Sequence, residues 1–307
     1  MDGAVRCVGL DLGGTDIKLA LLEDEELVRT ATASTLSQDG GAPAVLERVV
    51  ALGLEAGECD SVGVSVPGLL DQDGRVLLFP NLYGEWTGFP LRDELARAFD
   101  MRVPLLNDGH AFALAEARVG AARGSSDVIC LVCGTGVGGG LVLEGELFRG
   151  IGDRAGHVGH HTVLPEGELC GCGNRGCLET VAGSRAIASA AGRESFAEAL
   201  AAAQAGDHDA RTAIERAGRF LGIAIANLVL FVTPERVVIG GGVAEAGDLL
   251  LEPLRSEVVA RAANVAPLDR IEIVPAALGR YAGAIGAALH GSAVVDSARN
   301  RTQGGGQ

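Results

Sequence analysis

Residues 5–27 read VRCVGLDLGGTDIKLALLEDEEL, and residues 128–147 read VICLVCGTGVGGGLVLEGEL. Both stretches open with an apolar run typical of a buried strand, turn through glycines and return through a second apolar run that ends in acidic residues. The Gly-Thr pairs of the two turns, at 14–15 and 134–135, are too far apart for a solenoid repeat, and they favour a duplicated domain. Chance similarity between two glycine-rich hairpins is the alternative.

Strand and helix patterns alternate along the rest of the chain, which indicates an α/β architecture with covered sheets. The predicted strands are 61–66, 103–106, 236–239 and 271–274, and the predicted helices are 43–55, 91–99, 184–204, 211–231, 248–263 and 282–289. The second glycine-rich stretch is expected to turn over 134–140 and to return as a strand only from Leu141. The polar, glycine-rich end predicts a disordered tail.

Composition and charge exclude several classes of protein. The 307 residues, 48% of them hydrophobic, are enough for about two globular domains. Lys and Arg number 25 against 40 Asp and Glu, and the net charge of -15 repels nucleic acid and anionic membranes, so we expect no nucleic-acid partner. The longest apolar stretch, 220–232, is shorter than the roughly 18 residues of a membrane span. The N-terminus lacks a signal-peptide pattern, and we expect a cytoplasmic protein with no membrane partner.

The first glycine turn carries groups suited to a phosphate. Gly13 and Gly14 allow positive φ angles and a close approach of backbone N–H groups, and Thr15 and Lys18 can donate hydrogen bonds to phosphate oxygens. Asp11, at the end of the strand, can hold Mg²⁺ through water. Lys18 is the only lysine in the chain.

Two further glycine turns are candidates of the same kind. Their candidate nucleotide-binding residues are Gly134, Thr135, Gly136 and Gly138 in the second turn, and Gly241 and Gly242 in the third. The first two turns lead into returning strands, which disfavours a Rossmann motif, and no Gly-Lys-Ser/Thr of a P-loop occurs. Any one of these turns can be an ordinary tight hairpin, but three together favour a bound nucleotide.

Asn107 and Asp108 follow an apolar strand and precede a predicted helix. Phosphoryl transfer to a hydroxyl needs one carboxylate that accepts the proton of that hydroxyl, and Asp108 is the candidate base. Asn107 can orient the same substrate through hydrogen bonds. The alternative is that Asp108 only caps the following helix.

A dense group of metal-ligating residues lies between 160 and 177. His160, Cys170, Cys172 and Cys177 can complete a tetrahedral shell of the kind that structural Zn²⁺ uses, and the glycines between them let the chain turn sharply. A set of free buried thiols is the alternative. Such a metal would fix the neighbouring side chains of His157 and Glu179, and Glu179 could accept two sugar hydroxyls or lie exposed at a helix start.

In chain order, these motifs resemble those of the ROK family of sugar kinases and repressors, from Asp11 to about Leu289. The matching motifs are Asp11-Leu-Gly-Gly-Thr15, Ser65-Val-Pro-Gly68, Asn107-Asp108, Gly134-Thr-Gly-Val-Gly-Gly-Gly140, Gly159-His160, Cys170-Gly-Cys-Gly-Asn-Arg-Gly-Cys177-Leu-Glu179 and Gly240-Gly-Gly242. The cysteine motif is the most specific of them. The resemblance implies the duplicated actin, Hsp70 and hexokinase-like (ribonuclease H-like) fold, with two lobes around a cleft.

The resemblance also implies an activity, which is ATP-dependent phosphorylation of the 6-hydroxyl of a hexose with Asp108 as base and with ATP, Mg²⁺ and a structural Zn²⁺ as cofactors. The implied sugar contacts are Gly68, Asn107, Asp108, His157, His160 and Glu179. The implied domains are a small lobe of 1–106 completed by a helix over about 280–295, a large lobe of 107–279 with a zinc loop at 150–180, and a disordered tail over 296–307. A homodimer is the implied assembly.

One departure from the family pattern bears on the sugar. Glucose kinases of this family usually have Gly-Glu-x-Gly-His, and this chain has Gly156-His157-Val-Gly-His160. A neutral imidazole offers one donor and one acceptor, whereas a carboxylate accepts twice, so the pairing with glucose hydroxyls weakens. The change is similar to that in bacterial N-acetylmannosamine kinases. We expect glucose as the slightly favoured substrate, with an N-acetylhexosamine as the alternative.

Two other functions are weighed against the kinase. A sugar-responsive repressor of the same family would carry a helix-turn-helix domain before the first glycine motif, and here that motif starts at Asp11 and the net charge opposes DNA. A chaperone-like ATPase of the same architecture would carry an added peptide-binding domain. The kinase is the preferred hypothesis.

Overall fold

The structure, a computed structural model, describes the backbone of residues 4–304 and the side chains of residues 4–294. The chain divides into two compact units. Unit 1 comprises Met1–Ala115, Arg149–Arg154 and Arg280–Gln307, and unit 2 comprises Glu116–Phe148 and Ala155–Gly279.

The chain alternates between strands and helices, as predicted. The strands are β1 (Arg6–Leu12), β2 (Asp16–Glu23), β3 (Glu26–Ser34), β4 (Ser61–Val66), β5 (Leu69–Leu70), β6 (Val76–Leu78), β7 (Leu105–Asn107), β8 (Val128–Cys133), β9 (Val137–Leu143), β10 (Glu146–Phe148), β11 (Arg236–Gly240) and β12 (Glu272–Pro275). The α-helices are α1 (Gly41–Leu54), α2 (Leu91–Phe99), α3 (Asp108–Arg118), α4 (Glu179–Ala182), α5 (Ser184–Ala190), α6 (Phe196–Gln204), α7 (His208–Val232), α8 (Asp248–Ala262) and α9 (Ala282–Gly304).

Each unit contains one five-stranded sheet, and the two sheets have the same topology. The strand orders are β3-β2-β1-β4-β7 in unit 1 and β10-β9-β8-β11-β12 in unit 2. In each sheet the first three strands pair antiparallel and the last two join in parallel. The shared topology confirms the duplication predicted from the two glycine-rich hairpins.

In unit 1, α9 packs directly on the sheet because two neighbouring strands carry glycines at the contact. Gly9 of β1 and Gly63 of β4 are register partners. A Cβ atom at Gly9 would overlap the carbonyl oxygen of Ala284, and one at Gly63 would overlap that of Ala287. The apolar side chains of β1, β2 and β4 form the core of the unit.

In unit 2, α7 and α8 pack together at similarly close range. Cβ atoms at Gly218 and Gly222 would overlap backbone carbonyl oxygens of Leu250 and Leu254. The carboxylate of Glu116 is fully buried and accepts hydrogen bonds from the backbone N–H groups of Ala121, Ala277 and Leu278 at 2.8, 3.1 and 3.0 Å. Three donors around one carboxylate satisfy a charge that would otherwise be costly to bury.

Several element predictions were right, and several were wrong for identifiable reasons. The strand 61–66 and the helix 91–99 have the predicted bounds. The turn predicted over 134–140 is shorter, because the glycines at 138–140 pair within β9. The helix predicted over 184–204 is broken between α5 and α6, where Gly192 has a left-handed φ of 62°.

Strands β3 and β10 were missed. The residues of β3 are mostly exposed and none is fully buried, and its only alternation is that of the small residues Ala31 and Ala33, which are half-buried against the core. β10 has only three residues. Helix α9 continues to Gly304, so the structure places residues 296–304 of the expected disordered tail in a helix, and 305–307 lie outside the described residues.

Over the part of the chain described, no helix is both long and apolar enough to cross a membrane.

The contact of α9 with the sheet leads to a stability prediction. Gly63→Ala would force a Cβ atom onto the backbone of α9, and such overpacking lowers the free energy of unfolding by about 3 kcal/mol. Gly134→Ala is the matched control, since no atom lies within 4 Å of a Cβ there, and it should change that free energy by less than about 0.5 kcal/mol. Urea denaturation measures both variants, and equal effects would contradict the packing explanation.

Candidate active site and metal site

The carboxylate of Asp11 contacts polar side chains of both neighbouring strands of the unit 1 sheet. Asp11 lies opposite Lys18 of β2 and opposite Ser65 of β4 in the sheet register. The Lys18 ammonium lies 3.4 Å from Oδ2, and the buried Ser65 hydroxyl donates a hydrogen bond to Oδ1. A Cβ atom at Gly283 would lie 2.8 Å from the Asp11 Cγ, so the first turn of α9 lies against the same carboxylate. A helix start favours a negative charge.

The glycines of the first turn are explained by close packing of the backbone and not by the predicted positive φ angles. Gly13 and Gly14 do not have positive φ angles, so conformational freedom is not what requires them. A Cβ atom at Gly13 would lie 2.8 Å from the Asp16 carbonyl oxygen, and one at Gly14 would lie 3.0 Å from that of Asn81. Close backbone approach therefore explains both glycines. Gly14 and Thr15 are exposed, as a phosphate-binding turn requires.

Gly68, Asn107 and Asp108 come together at the carboxyl ends of β4 and β7. The Asn107 side-chain amide donates to the Gly68 carbonyl oxygen at 3.1 Å. Gly68 has a φ of 83°, and a Cβ there would overlap the carbonyl oxygen of Leu78, so only glycine fits. The backbone N–H of Gly109 donates to both Asn107 Oδ1 and Asp108 Oδ1, at 3.0 and 2.8 Å, and this fixes the two side chains at the start of α3.

The pKa of Asp108 is raised to about 6, first by desolvation among the surrounding protein atoms and second by the negative charge of Asp11. Hydrogen bonds from Gly109 and Asn107 act in the opposite direction. Asp108 nevertheless keeps an exposed surface that a substrate can reach. A carboxylate with this pKa is a competent proton acceptor at neutral pH, which helix capping alone would not require.

A small recess lies beside Asn107 within unit 1. Its walls include Gly68, Asn107, Arg92 and Arg149. Arg149 forms an ion pair of 2.7 Å with Asp153. The recess is therefore lined by groups that can hydrogen-bond to a small polar molecule.

In unit 2, the second glycine turn is joined to Glu179. The Glu179 Oε2 atom accepts a hydrogen bond from the Val137 N–H at 3.0 Å, and a Cβ atom at Gly136 would overlap that oxygen. The Gly134 carbonyl oxygen accepts from the Ser184 N–H at 2.8 Å, while Thr135 is exposed. Half-buried Glu179 is thus held at the start of α4, not free in solvent.

The three remaining candidate glycines differ in whether their surroundings require a glycine. Gly138 lies inside β9, where a Cβ atom would be 3.1 Å from a Val132 methyl group. Gly241 has a φ of 83°, and a Cβ there would overlap the Cys133 backbone. Gly242 has open space around it. Of these three, only Gly242 lacks a structural explanation for being glycine.

The four predicted metal ligands are brought together in unit 2. One ligand atom from each of His160, Cys170, Cys172 and Cys177 lies within 4.8 Å of the other three. The Cys172 and Cys177 sulfurs are 3.6 Å apart, and Cys170 Sγ is 3.6 Å from His160 Nδ1. Thiolates around a tetrahedral Zn²⁺ lie about 3.8 Å apart, so the donor set and its spacing fit this ion.

The thiols differ in their protonation. Burial raises the pKa of Cys177, whereas the backbone N–H of Asn174 lowers the pKa of the exposed Cys172. A cation binding here would have to displace a proton from Cys177. Glu179 Oε1 lies 4.0 Å from Cys170 Sγ, so the metal cluster and the second glycine turn share this carboxylate as a neighbour.

The predicted sugar contacts are divided between the units. Gly68, Asn107 and Asp108 belong to unit 1, as described above. His157, His160 and Glu179 belong to unit 2. The His157 ring is exposed, with its centroid 6.3 Å from that of His160.

Sequence reasoning assigned no role to two residues that act on Asp11. Ser65 was recognised only as part of a motif, and Gly283 was not singled out. Both act through contacts between residues far apart in the chain, so the strand register was needed to find them. The one available signal was the position of Ser65 at the end of a buried strand.

The duplicated sheets, with β-hairpins carrying glycine turns at Gly13–Thr15 and Gly134–Gly136, define the actin and hexokinase-like fold. The ROK family profile matches residues 7–292, and this chain belongs to the ROK family.

Relatives and solved structures agree with this assignment. The chain is 37% identical over 308 residues to a glucokinase of Halalkalibacterium halodurans, covering 91% of this chain and 92% of that protein. It is 32% identical over 289 residues to an N-acetylmannosamine kinase of Pasteurella multocida, covering 92% and 95%. A Streptomyces griseus ROK family glucokinase, solved in complex with glucose and AMPPNP, matches with a TM-score of 0.81 at 30% identity, covering 94% of this chain and 99% of that one.

The raised pKa of Asp108 leads to a prediction about stability. The carboxyl of Asp108 has a pKa near 3.8 in the unfolded chain and near 6 in the folded one. Ionising it therefore costs the folded state free energy, and this cost is fully present above pH 6 and largely lost below pH 4. Asp108→Asn removes this cost and should raise the melting temperature at pH 8, and about half as much at pH 5, where the folded carboxyl is mostly protonated and the unfolded one mostly ionised. Because the side chain is exposed, we expect a gain of only about 1 kcal/mol. Thermal denaturation at both pH values measures it, and an equal gain at pH 5 and 8 would contradict the assignment.

Proposed function

We propose that this protein is an ATP-dependent hexose kinase that transfers the γ-phosphoryl group of ATP to the 6-hydroxyl of a hexose, with glucose favoured. The observation that carries the proposal is Asp108, an accessible carboxylate fixed beside Asn107 with a pKa near 6. Glucokinase relatives along most of the chain support it.

The residues of unit 1 supply the chemistry that phosphoryl transfer to an alcohol needs. Asn107 and the Gly68 backbone orient the sugar, and ionised Asp108 accepts the 6-hydroxyl proton as the oxygen attacks the γ-phosphorus and the bond to ADP breaks. The turn at Gly13–Thr15 offers backbone and side-chain donors to the phosphates, together with Lys18. Mg²⁺, held by Asp11 through water, would neutralise phosphate charge. The rate should rise with pH through about 6 as Asp108 ionises.

The glycine turns of unit 2 are proposed to contribute the rest of the nucleotide site, through Thr135 and Gly242 above all. Both residues are exposed, and no neighbouring atom explains the glycine at 242. Gly134, Gly136, Gly138 and Gly241 are then needed to shape the turns around them. Glu179, held by the Val137 N–H, would accept sugar hydroxyls with its remaining lone pairs.

The metal is proposed to be a structural Zn²⁺ on His160, Cys170, Cys172 and Cys177. The donor set of one imidazole and three thiols, and its spacing, support zinc, which structural sites bind through four such ligands. Its chemistry would be to hold the 160–177 loop, and with it Glu179, in place. Homodimer assembly and a cytoplasmic location remain predictions.

An N-acetylhexosamine, N-acetylmannosamine above all, is the second candidate substrate. The observation that favours it is His157, which stands exposed where family glucose kinases usually have glutamate. The similarity to an N-acetylmannosamine kinase over 92% of the chain supports it as well.

The activity is tested by coupled ADP release with glucose, mannose, N-acetylglucosamine and N-acetylmannosamine. We expect turnover with glucose and a fall of about 10²–10⁴-fold in kcat for Asp108→Asn, because the proton acceptor is lost. Asp100→Asn, an exposed aspartate in the left-handed conformation that asparagine tolerates, is the matched control and should keep full activity. No turnover with any of the four sugars would contradict the proposal.

The metal is tested by elemental analysis of the purified protein. We expect one zinc per chain, loss of that zinc in Cys170→Ser, and a lower melting temperature in the variant, since metal binding contributes folding free energy. Cys59→Ser replaces a cysteine of unit 1 outside the cluster and should keep the zinc. Zinc-free wild-type protein, or equal zinc in both variants, would argue against the site.

A further inference from the structure

Thr35 lies directly behind the first glycine turn and is fully buried. Its hydroxyl donates to the Gly13 carbonyl oxygen at 2.7 Å, and its backbone N–H donates to the Thr15 carbonyl oxygen at 2.8 Å. One residue therefore holds both ends of the turn. No motif in the sequence marks it, because it follows the edge strand β3 that the sequence analysis missed.

These two hydrogen bonds set the direction in which the turn presents its donors. In a trans peptide the C=O of Gly13 and the N–H of Gly14 lie in one plane and point in opposite directions. Since the Gly13 carbonyl points back to Thr35, the Gly14 N–H points away from the buried side, and Gly14 is exposed. An outward N–H in a glycine turn is the donor that a phosphate oxygen requires.

Thr35 is itself held by Arg48 of α1. The Arg48 guanidinium donates to the carbonyl oxygens of Thr35 and Leu36, both at 3.1 Å, and to that of Asp39 at 3.3 Å. Leu36 has a φ of 46°, a left-handed conformation that is unfavourable for leucine and persists only where its surroundings hold it. Arg48 thus fixes the loop after β3, and the loop fixes the turn.

We propose that Thr35 is a positioning residue for nucleotide binding, which orients the Gly14 N–H toward a phosphate of ATP, and that Arg48 holds Thr35 for this role. The inference rests on the proposed kinase function. It goes beyond that function because Thr35 is fully buried behind the turn and would act only through it. A purely structural threonine would affect stability alone, whereas a positioning threonine affects nucleotide binding more than sugar binding.

The test compares Thr35→Val, Thr35→Ser and Ser61→Ala. Valine keeps the shape and loses the hydroxyl, serine restores the hydroxyl, and Ser61 is a buried serine of unit 1 whose hydroxyl has no hydrogen-bond partner in the described structure. The readouts are the Kd of a non-hydrolysable ATP analogue with Mg²⁺ by calorimetry, and the KM values for ATP and glucose.

We expect Thr35→Val to raise the Kd of the analogue and the KM for ATP about tenfold, the effect of one lost hydrogen bond, with the KM for glucose unchanged. Thr35→Ser should return both to within about twofold of wild type, and Ser61→Ala should leave them unchanged. If Thr35→Val does not fold, Arg48→Lys, which loses the guanidinium fork, should raise the KM for ATP selectively.

Normal nucleotide binding by folded Thr35→Val, an equal rise in both KM values, or no rescue by serine would overturn the proposal. So would wild-type protein that binds no nucleotide. Failure of the proposed kinase function gives a different result. If wild-type protein binds the ATP analogue but phosphorylates no hexose, the kinase function is refuted. The calorimetric comparison of the variants then still decides the role of Thr35.

Discussion

The carboxylate of Asp11 links three separate elements of unit 1. Lys18 of the returning strand, Ser65 of the parallel neighbour and the first turn of α9 all converge on it, and each comes from a different part of the chain. The glycines at 9 and 63 let α9 lie on the sheet, and the glycine at 283 lets its first turn reach the carboxylate. The packing of α9 on the sheet and the placement of the Asp11 carboxylate beside the first glycine turn therefore depend on the same contacts.

The duplicated hairpins show how one scaffold can be adapted in two ways. In unit 1 the turn is supported from behind by Thr35, and its Gly13 N–H donates to the Asp16 carbonyl oxygen, while Gly14 and Thr15 are exposed. In unit 2 the corresponding turn gives the Val137 N–H to Glu179, which also lies beside Cys170 of the metal cluster. The same strand topology thus carries a charged turn in one copy and a turn tied to a metal loop in the other.

The sequence predicted what depends on local pattern and on dense motifs. The duplication, most of the parallel strands and the clustering of His160 with three cysteines could be predicted because each leaves a periodic or compact signal. β3 was missed, because the signal of this mostly exposed edge strand is only the short alternation of Ala31 and Ala33 with polar residues. The roles of Ser65 and Thr35 could not be predicted either, since both depend on contacts between distant segments. Gly13 and Gly14 were predicted as turn residues, but they do not have the positive φ angles that were part of the reason.

The proposed mechanism requires that Asp108 receives the proton of the hydroxyl that is phosphorylated. A crystal structure with glucose and a non-hydrolysable ATP analogue tests this most directly. We expect the sugar 6-oxygen within hydrogen-bond distance of an Asp108 carboxylate oxygen, about 2.6–3.2 Å, and a phosphate oxygen that accepts a hydrogen bond from the Gly14 N–H. A hexose bound with its 6-hydroxyl turned away from Asp108, or phosphates bound away from the first glycine turn, would contradict it.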